Sequence, residues 1–211
     1  MDAITQRNEK LANLVANNLK SRHFDAYVVN DEQEARELAL SLIPNDHTVG
    51  WGGSVTIDQI GLKNSLKERG NTVIDRESAQ TPAERVKMMK DALTCNTFLM
   101  SANAVSQDGV LVNIDGNGNR VAALVYGPES VVVVVGINKI APDVQSALMR
   151  ARNLAAPTNS QRFNVNTPCK INGACANCKC PDSICAQINF TRLCKPQGRI
   201  KVIIVTKELG F

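Results

Sequence analysis

The sequence predicts an open α/β fold built on a mostly parallel sheet with helices on both faces. Two observations carry this: short apolar runs alternate with helical-period segments through the first hundred residues, and strand-like runs then cluster at 97–101, 110–114, 121–125 and 131–135. The length agrees with it. A chain of 211 residues that is 44% hydrophobic buries one large core and has chain left over for an appendage.

Leu11, Leu14, Val15 and Leu19 recur at helical spacing within 10–22, and 26–29 (AYVV) is a short strand stopped by Asn30 and Asp31. Asp31 with Glu34 opens a capped helix that buries Ala35, Leu38, Ala39 and Leu42 and ends at Pro44. Residues 47–51 are extended and run into Gly52-Gly53-Ser54, after which a helix over 57–69 and a strand over 72–74 are expected. Thr81-Pro82-Ala83-Glu84 combines a cap, an N1 proline and an N3 glutamate, the start of a further helix. Of the four clustered strands, 110–114 and 121–125 are joined through Asp115-Gly116-Asn117-Gly118-Asn119, a glycine-bearing hairpin or functional loop. Pro142 starts a helix through Leu154, and 199–205 (RIKVIIV) is the last strand. Between them the composition turns to Asn, Thr, Pro and Cys without a sustained period. The expected organisation is an α/β domain of 1–154 plus 199–211, interrupted by a cysteine-rich metal-binding insertion at 155–198.

That insertion holds six of the seven cysteines: Cys169, Cys175, Cys178, Cys180, Cys185 and Cys194. Thiolates gathered so tightly repel one another unless a cation neutralises them or they pair, and Cys175-x2-Cys178 is a spacing that lets two sulfurs reach one centre. Metal ligation is favoured over disulfides or free thiols, with an all-cysteine site because His23 and His47 lie far upstream. A [4Fe-4S] cluster and Zn2+ both remain open, since each needs four donors. The remaining Cys95 reads as a small buried residue.

Other classes are excluded more directly. A net charge of +4 with scattered basic residues offers no stripe for nucleic acid and no polybasic membrane patch. The N-terminus lacks a leader pattern and the apolar run 131–135 is too short to span a bilayer, so the expected location is cytoplasmic. Neither a flavin nor an NAD fingerprint is visible.

Two blocks carry groups suited to an anionic ligand. Thr48-Val49-Gly50-Trp51-Gly52-Gly53-Ser54-Val55-Thr56 joins a strand end, glycines and hydroxyls at a helix start, an arrangement that aims donors at an anion or simply caps a helix. The second runs from Ser101 through Asn103, Asp108-Gly109, Asn113 and Asp115 to Asn119 and Arg120. Here Asp108 is the candidate general base, Asn103 and Asn113 offer amides, and Arg120 suits a carboxylate or phosphate. The same Asp-Gly and Asn-Gly pairs also serve as plain turns.

Together with Tyr126-Gly127-Pro128, Gly136-Ile137-Asn138-Lys139-Ile140, the cysteine segment and Glu208-Leu209-Gly210-Phe211, these blocks resemble the lactate-utilisation (LUD) domain family over nearly the whole chain. The resemblance implies a fold like that of ribose-5-phosphate isomerase, glucosamine-6-phosphate deaminase and coenzyme A transferase. It implies a cleft for a small anionic or phosphorylated ligand, walled by Gly50, Gly52, Gly53, Ser54 and Thr56 on one side and Asn103, Asp108, Gly109, Asn113, Asp115, Asn119 and Arg120 on the other, with Lys139 as a further positive charge. Asp108, Asn103 and Arg120 are its catalytic candidates. By the same resemblance the metal quartet is Cys169, Cys175, Cys178 and Cys185, with Cys180 as alternate ligand, and the process is oxidative lactate use by an iron–sulfur system. Other oxidoreductase subunits are the implied protein partners, and a homodimer is compatible with the chain. A stand-alone isomerase, deaminase or transferase, or a ligand sensor with a structural zinc, is the competing expectation.

Overall fold

The computed structural model of the chain describes residues 2–211. In order, the elements are α1 (Ala3–Ser21), β1 (Asp25–Val29), α2 (Glu32–Ser41), β2 (Val49–Trp51), α3 (Val55–Gln59), α4 (Leu62–Arg69), β3 (Val73–Ile74), α5 (Pro82–Asp91), β4 (Thr97–Met100), β5 (Ala104–Ser106) and β6 (Leu111–Asp115). They continue with α6 (Asn119–Val125), β7 (Ser130–Gly136), β8 (Ile140–Ala141), α7 (Val144–Arg150), α8 (Ala156–Ser160), α9 (Pro168–Asn172), β9 (Gln187–Thr191) and β10 (Ile200–Val205).

Six strands form a wholly parallel sheet in the order β1-β10-β7-β4-β2-β3. Its central strands are apolar on both faces, as a parallel sheet covered on both sides requires. On β7, Val131, Val133 and Val135 join a core with α1 and α6, while Val132 and Val134 join one with α2, α3 and α4. The period-2 alternation repeats on β4 and β10, where Phe98 and Ile204 face the first core and Leu99 and Ile203 the second. Trp51 packs in the second core rather than presenting itself to a ligand.

A smaller sheet, β8-β5-β6-β9, sits beside the main one and contains the antiparallel pairing. Ala104, Val112, Ile114, Ala141, Ala147 and Ala151 form its core, with Cys185 packed on it.

Five expectations are corrected. Residues 121–125 are helical, not a strand: Asp115 Oδ2 accepts the N–H groups of Arg120 and Val121 at 3.1 Å each, and Gly118 at φ +78° turns the chain into α6. Residues 115–119 are therefore a strand-to-helix turn, not a hairpin. The helix expected over 57–69 is broken in two by Gly61 at φ +70°. The helix expected to end at Leu154 runs on through a π-helical turn, Ala151–Ala155, into α8, so it crosses the boundary placed at 154. The cysteine-rich segment itself contributes β9, which pairs with β6 over five residues.

Candidate functional site

The loops that leave the C-terminal ends of the parallel strands converge on one cleft of about 720 Å3. Gly53, Ser54 and Thr56 follow β2, Arg76 follows β3, Ser101 and Asn103 follow β4, Lys139 follows β7, and Gly210 follows β10. This is the end of an open α/β sheet at which ligands characteristically bind, because backbone groups and loop side chains are unpaired there.

Arg120, on the first turn of α6, organises the floor. Its Nη1 donates to Ser101 O (3.1 Å) and Asn113 Oδ1 (2.6 Å), and its Nη2 donates to Asn103 Oδ1 (3.1 Å) and Ile114 O (2.6 Å). Asp115 lies 3.8 Å from its Nε. Gly52 packs against the same side chain: a Cβ there would stand 3.0 Å from Arg120 Cδ. Most of the guanidinium's donors are thus spent on the protein, which makes Arg120 a clamp between β4, β6 and α6.

Two other cations are less committed. Arg76 Nε is buried without a hydrogen-bond partner, Nη1 reaches only Met89 Sδ at 3.4 Å, and among the described residues no carboxylate lies within ion-pair distance. Burial and the neighbouring Arg85 lower its pKa. Lys139 is 3% exposed, and its Nζ donates to Thr56 Oγ1 and Ser101 Oγ at 2.9 Å each. Burial, then the guanidinium charges of Arg150 and Arg120, pull its pKa down to about 7. Gly210 lies over this amine, tied by its N–H to Gln59 Oε1 (2.7 Å) and by its carbonyl to Asn138 Nδ2 (3.3 Å). A Cβ at Gly210 would collide with the Thr56 hydroxyl.

Of the expected site residues, the cleft brings together Gly53, Ser54, Thr56, Asn103, Asp115, Asn119, Arg120 and Lys139. Ser54 Oγ caps α3 by accepting from Ile57 N at 3.3 Å. Asn113 stands behind the floor as a partner of Arg120, and Gly50 is interior, where a Cβ would meet Ala92 Cβ at 3.0 Å.

Asp108 and Gly109 lie outside the cleft, contrary to the expected general base. They form the turn between β5 and β6, where Asp108 Oδ2 takes an ion pair from Arg22 Nη2 at 2.6 Å and Gly109, at φ +89°, presses on the backbone of Asn18 and Leu19. The turn docks the small sheet on α1. Arg76, Arg85 and Arg162 line the cleft but belong to no motif. Only Arg76 had a signal, its position just past an expected strand end.

A second cavity of about 70 Å3 is lined by Cys169, Cys175, Cys178 and Cys185, with Ile114, Arg152, Pro157, Asn177, Ser183 and Ile188 among its other residues. Burial, followed by the charges of Cys169, Cys175 and Cys178, pushes the Cys185 thiol up to about 11. Arg152 Nη2 lies 4.0 Å from Cys175 Sγ and bonds Asn177 Oδ1 at 2.6 Å. Cys180 sits 3.6 Å from Cys178, sulfur to sulfur, and does not line the cavity. Cys194 is buried in the main core, accepting from Ile200 N at 3.2 Å. Among the described residues no three His, Cys, Asp or Glu side chains are grouped to hold a single metal ion. The four thiols surround a space rather than meet at a point; a tetrahedral zinc would require sulfurs about 3.8 Å apart.

A family model for the LUD domain matches residues 12–205. The chain belongs to the LUD domain family. That family is linked to lactate utilisation. No curated protein matches the chain. Among solved structures, this LUD domain is similar to a DUF162 family protein from Deinococcus radiodurans, with a TM-score of 0.54 and 13% identity over 94% of this chain and 98% of that one. At that identity the likeness speaks to fold. No helix among the described residues of the LUD domain is long and apolar enough to cross a membrane.

Proposed function

We propose that this LUD-domain protein is a component of an iron–sulfur system for oxidative lactate utilisation and binds a small anionic or phosphorylated ligand in its cleft. The observation that carries this reading is the juxtaposition of two cavities. A cleft bearing Arg76, Arg120 and Lys139 shares Ile114 and Ser183 as wall with the cavity of the four thiols. Of these, Arg76 and Lys139 have no carboxylate within ion-pair distance among the described residues, and such cations favour an anion, whose charge they would balance.

Cys169, Cys175, Cys178 and Cys185 would hold the cluster, and a cluster there supplies one-electron transfer. Their arrangement around a space suits a multi-atom cluster better than a single zinc ion. Arg152 beside Cys175 offsets part of the thiolate charge. The chain's own contribution is to seat the ligand on Arg76 and Lys139 and to keep water out beneath the segment that carries Gly210.

The test is anaerobic purification followed by iron, acid-labile sulfide and zinc analysis. Iron and sulfide near stoichiometry, lost in Cys169→Ser and Cys185→Ser but kept in Cys180→Ser, are expected. One zinc per chain without sulfide would overturn the iron–sulfur part. The ligand part is read by thermal shift with lactate, inorganic phosphate and sugar phosphates. Saturation to about 100 Kd stabilises by about 2.7 kcal/mol, and no shift with any of them would overturn it.

A further inference from the structure

Lys139 is unusual among the cations of this chain. It is buried, it lines the cleft, and its hydrogen-bond partners are two hydroxyls, Thr56 Oγ1 and Ser101 Oγ, rather than a carboxylate. The neighbouring charges, Arg120 and Arg150, have its own sign. A buried ammonium in such surroundings is disfavoured, and its pKa of about 7 expresses that. A neutral amine keeps a lone pair, and a desolvated lysine beside other cations is the setting in which amines act as nucleophiles toward carbonyl carbon.

We propose that Lys139 captures the carbonyl group of a small carbonyl compound bearing a carboxylate or phosphate, forming an imine in the cleft while Arg76 receives the anionic end. The inference rests on the anion-binding reading of the same cleft. In the step, the Nζ lone pair forms the C–N bond and the carbonyl π pair moves to oxygen, which takes up the proton released by nitrogen. Loss of that hydroxyl with the second N–H proton releases water and leaves C=N. One carbonyl and one amine give one imine and one water, with no change of oxidation state. The Thr56 and Ser101 hydroxyls, each 2.9 Å from Nζ, are placed to carry the protons. Arg76 Nε, buried without a partner, has a free donor for the anion.

The experiment treats the full-length protein near pH 7.5 with sodium cyanoborohydride and either pyruvate or glyceraldehyde 3-phosphate, and maps adducts by peptide mass spectrometry. Reductive labelling of Lys139 is expected roughly ten- to a hundred-fold faster than that of surface lysines such as Lys20 or Lys87. Because an aldehyde is intrinsically more reactive than a ketone, the probe with the larger Lys139-to-surface rate ratio, not the faster one, tells whether a carboxylate or a phosphate is preferred. Because surface lysines of the same molecule are the reference, the readout does not depend on a variant folding. Lys139→Arg should lose the fast adduct and keep the slow ones.

Lactate and inorganic phosphate, which have no carbonyl carbon for the amine to attack as a ketone or aldehyde, serve as controls by thermal shift. Stabilisation by these anions with Lys139 labelled no faster than the surface overturns the imine and leaves anion binding standing. Absence of both overturns the two together.

Discussion

Replacing Lys139 by methionine should change how stability depends on pH more than it changes stability at any one pH. The unfolded chain holds the lysine proton up to its ordinary pKa of 10.5, the folded chain only up to about 7. Between those values the unfolded state binds more protons, so stability rises with pH by up to about 1.4 kcal/mol per unit. Below pH 7 both states are protonated and the burial cost is present in full; above 10.5 it is absent. From pH 7.5 to 9.5 the wild type should therefore gain about 2.5 kcal/mol relative to Lys139→Met. With an unfolding entropy of roughly 2.1 cal/mol/K per residue, this is about 5–6 °C in Tm for 211 residues. Arg120 and Arg150 stay charged throughout, and thiol titrations are common to both proteins, so the difference between the two Tm–pH curves isolates this amine. Methionine leaves the two hydroxyls without their partner, but that loss is a constant offset. Differential scanning fluorimetry across buffers at fixed ionic strength supplies the curves. Parallel curves would show that Lys139 is an ordinary ammonium in the folded protein and would remove the basis of its proposed chemistry.

Two further substitutions separate scaffold from site. Asp108→Asn breaks the Arg22 pair, whose side chains are 21% and 51% exposed; solvent screening limits the loss to about 0–1 kcal/mol, and ligand-induced thermal shifts should be unchanged. Loss of ligand response there would return Asp108 to the site. Arg120→Lys cannot reproduce a fork that serves Ser101, Asn103, Asn113 and Ile114, so it should cost about 2–4 kcal/mol in denaturant unfolding; a neutral result would show that these acceptors find other donors.

Sequence periodicity reached most of the fold because β4, β7 and β10 are buried on both faces and leave continuous apolar runs. It failed at VAALV, residues 121–125, where a short apolar run is compatible with either structure and the decision belongs to Asp115, which caps the helix start from the preceding strand. The site was legible where chemistry and turn residues coincide, as at Ser54, Thr56, Asn103 and Arg120. It was illegible in two ways. Asp108 sits in a polar block beside true cleft residues, yet its partner Arg22 lies 86 positions earlier and nothing local announces it. Arg162 reaches the cleft from a turn whose placement is set by the topology, so its sequence neighbours carry no trace of the role, and Arg76 left only its position just past a strand end.

The pairing of β9 with β6 gives the cysteine-rich segment a different standing from that of an appendage. Along β6 the side chains alternate. Leu111 enters the main core, Asn113 grips Arg120 and Asp115 lines the cleft, while Val112 and Ile114, on the opposite face, build the core of the small sheet. Ile114 at the end of that face touches the thiol cavity as well as the cleft. Two residues of strand, Ile114 and Asp115, thus place the thiol cavity and the cleft against one another. Five ladder positions from Leu111–Thr191 to Asp115–Gln187 hold the cysteine loops in that register. Because β5 also holds β6, a one-residue slip in this pairing would turn over the side chains of the edge strand β9 and shift the cysteine loops by one strand position relative to Ile114 and Asp115. The relative position of the two cavities is therefore set jointly by the alternation of Leu-Val-Asn-Ile-Asp along β6, which divides core from cleft, and by the register in which β9 pairs with it.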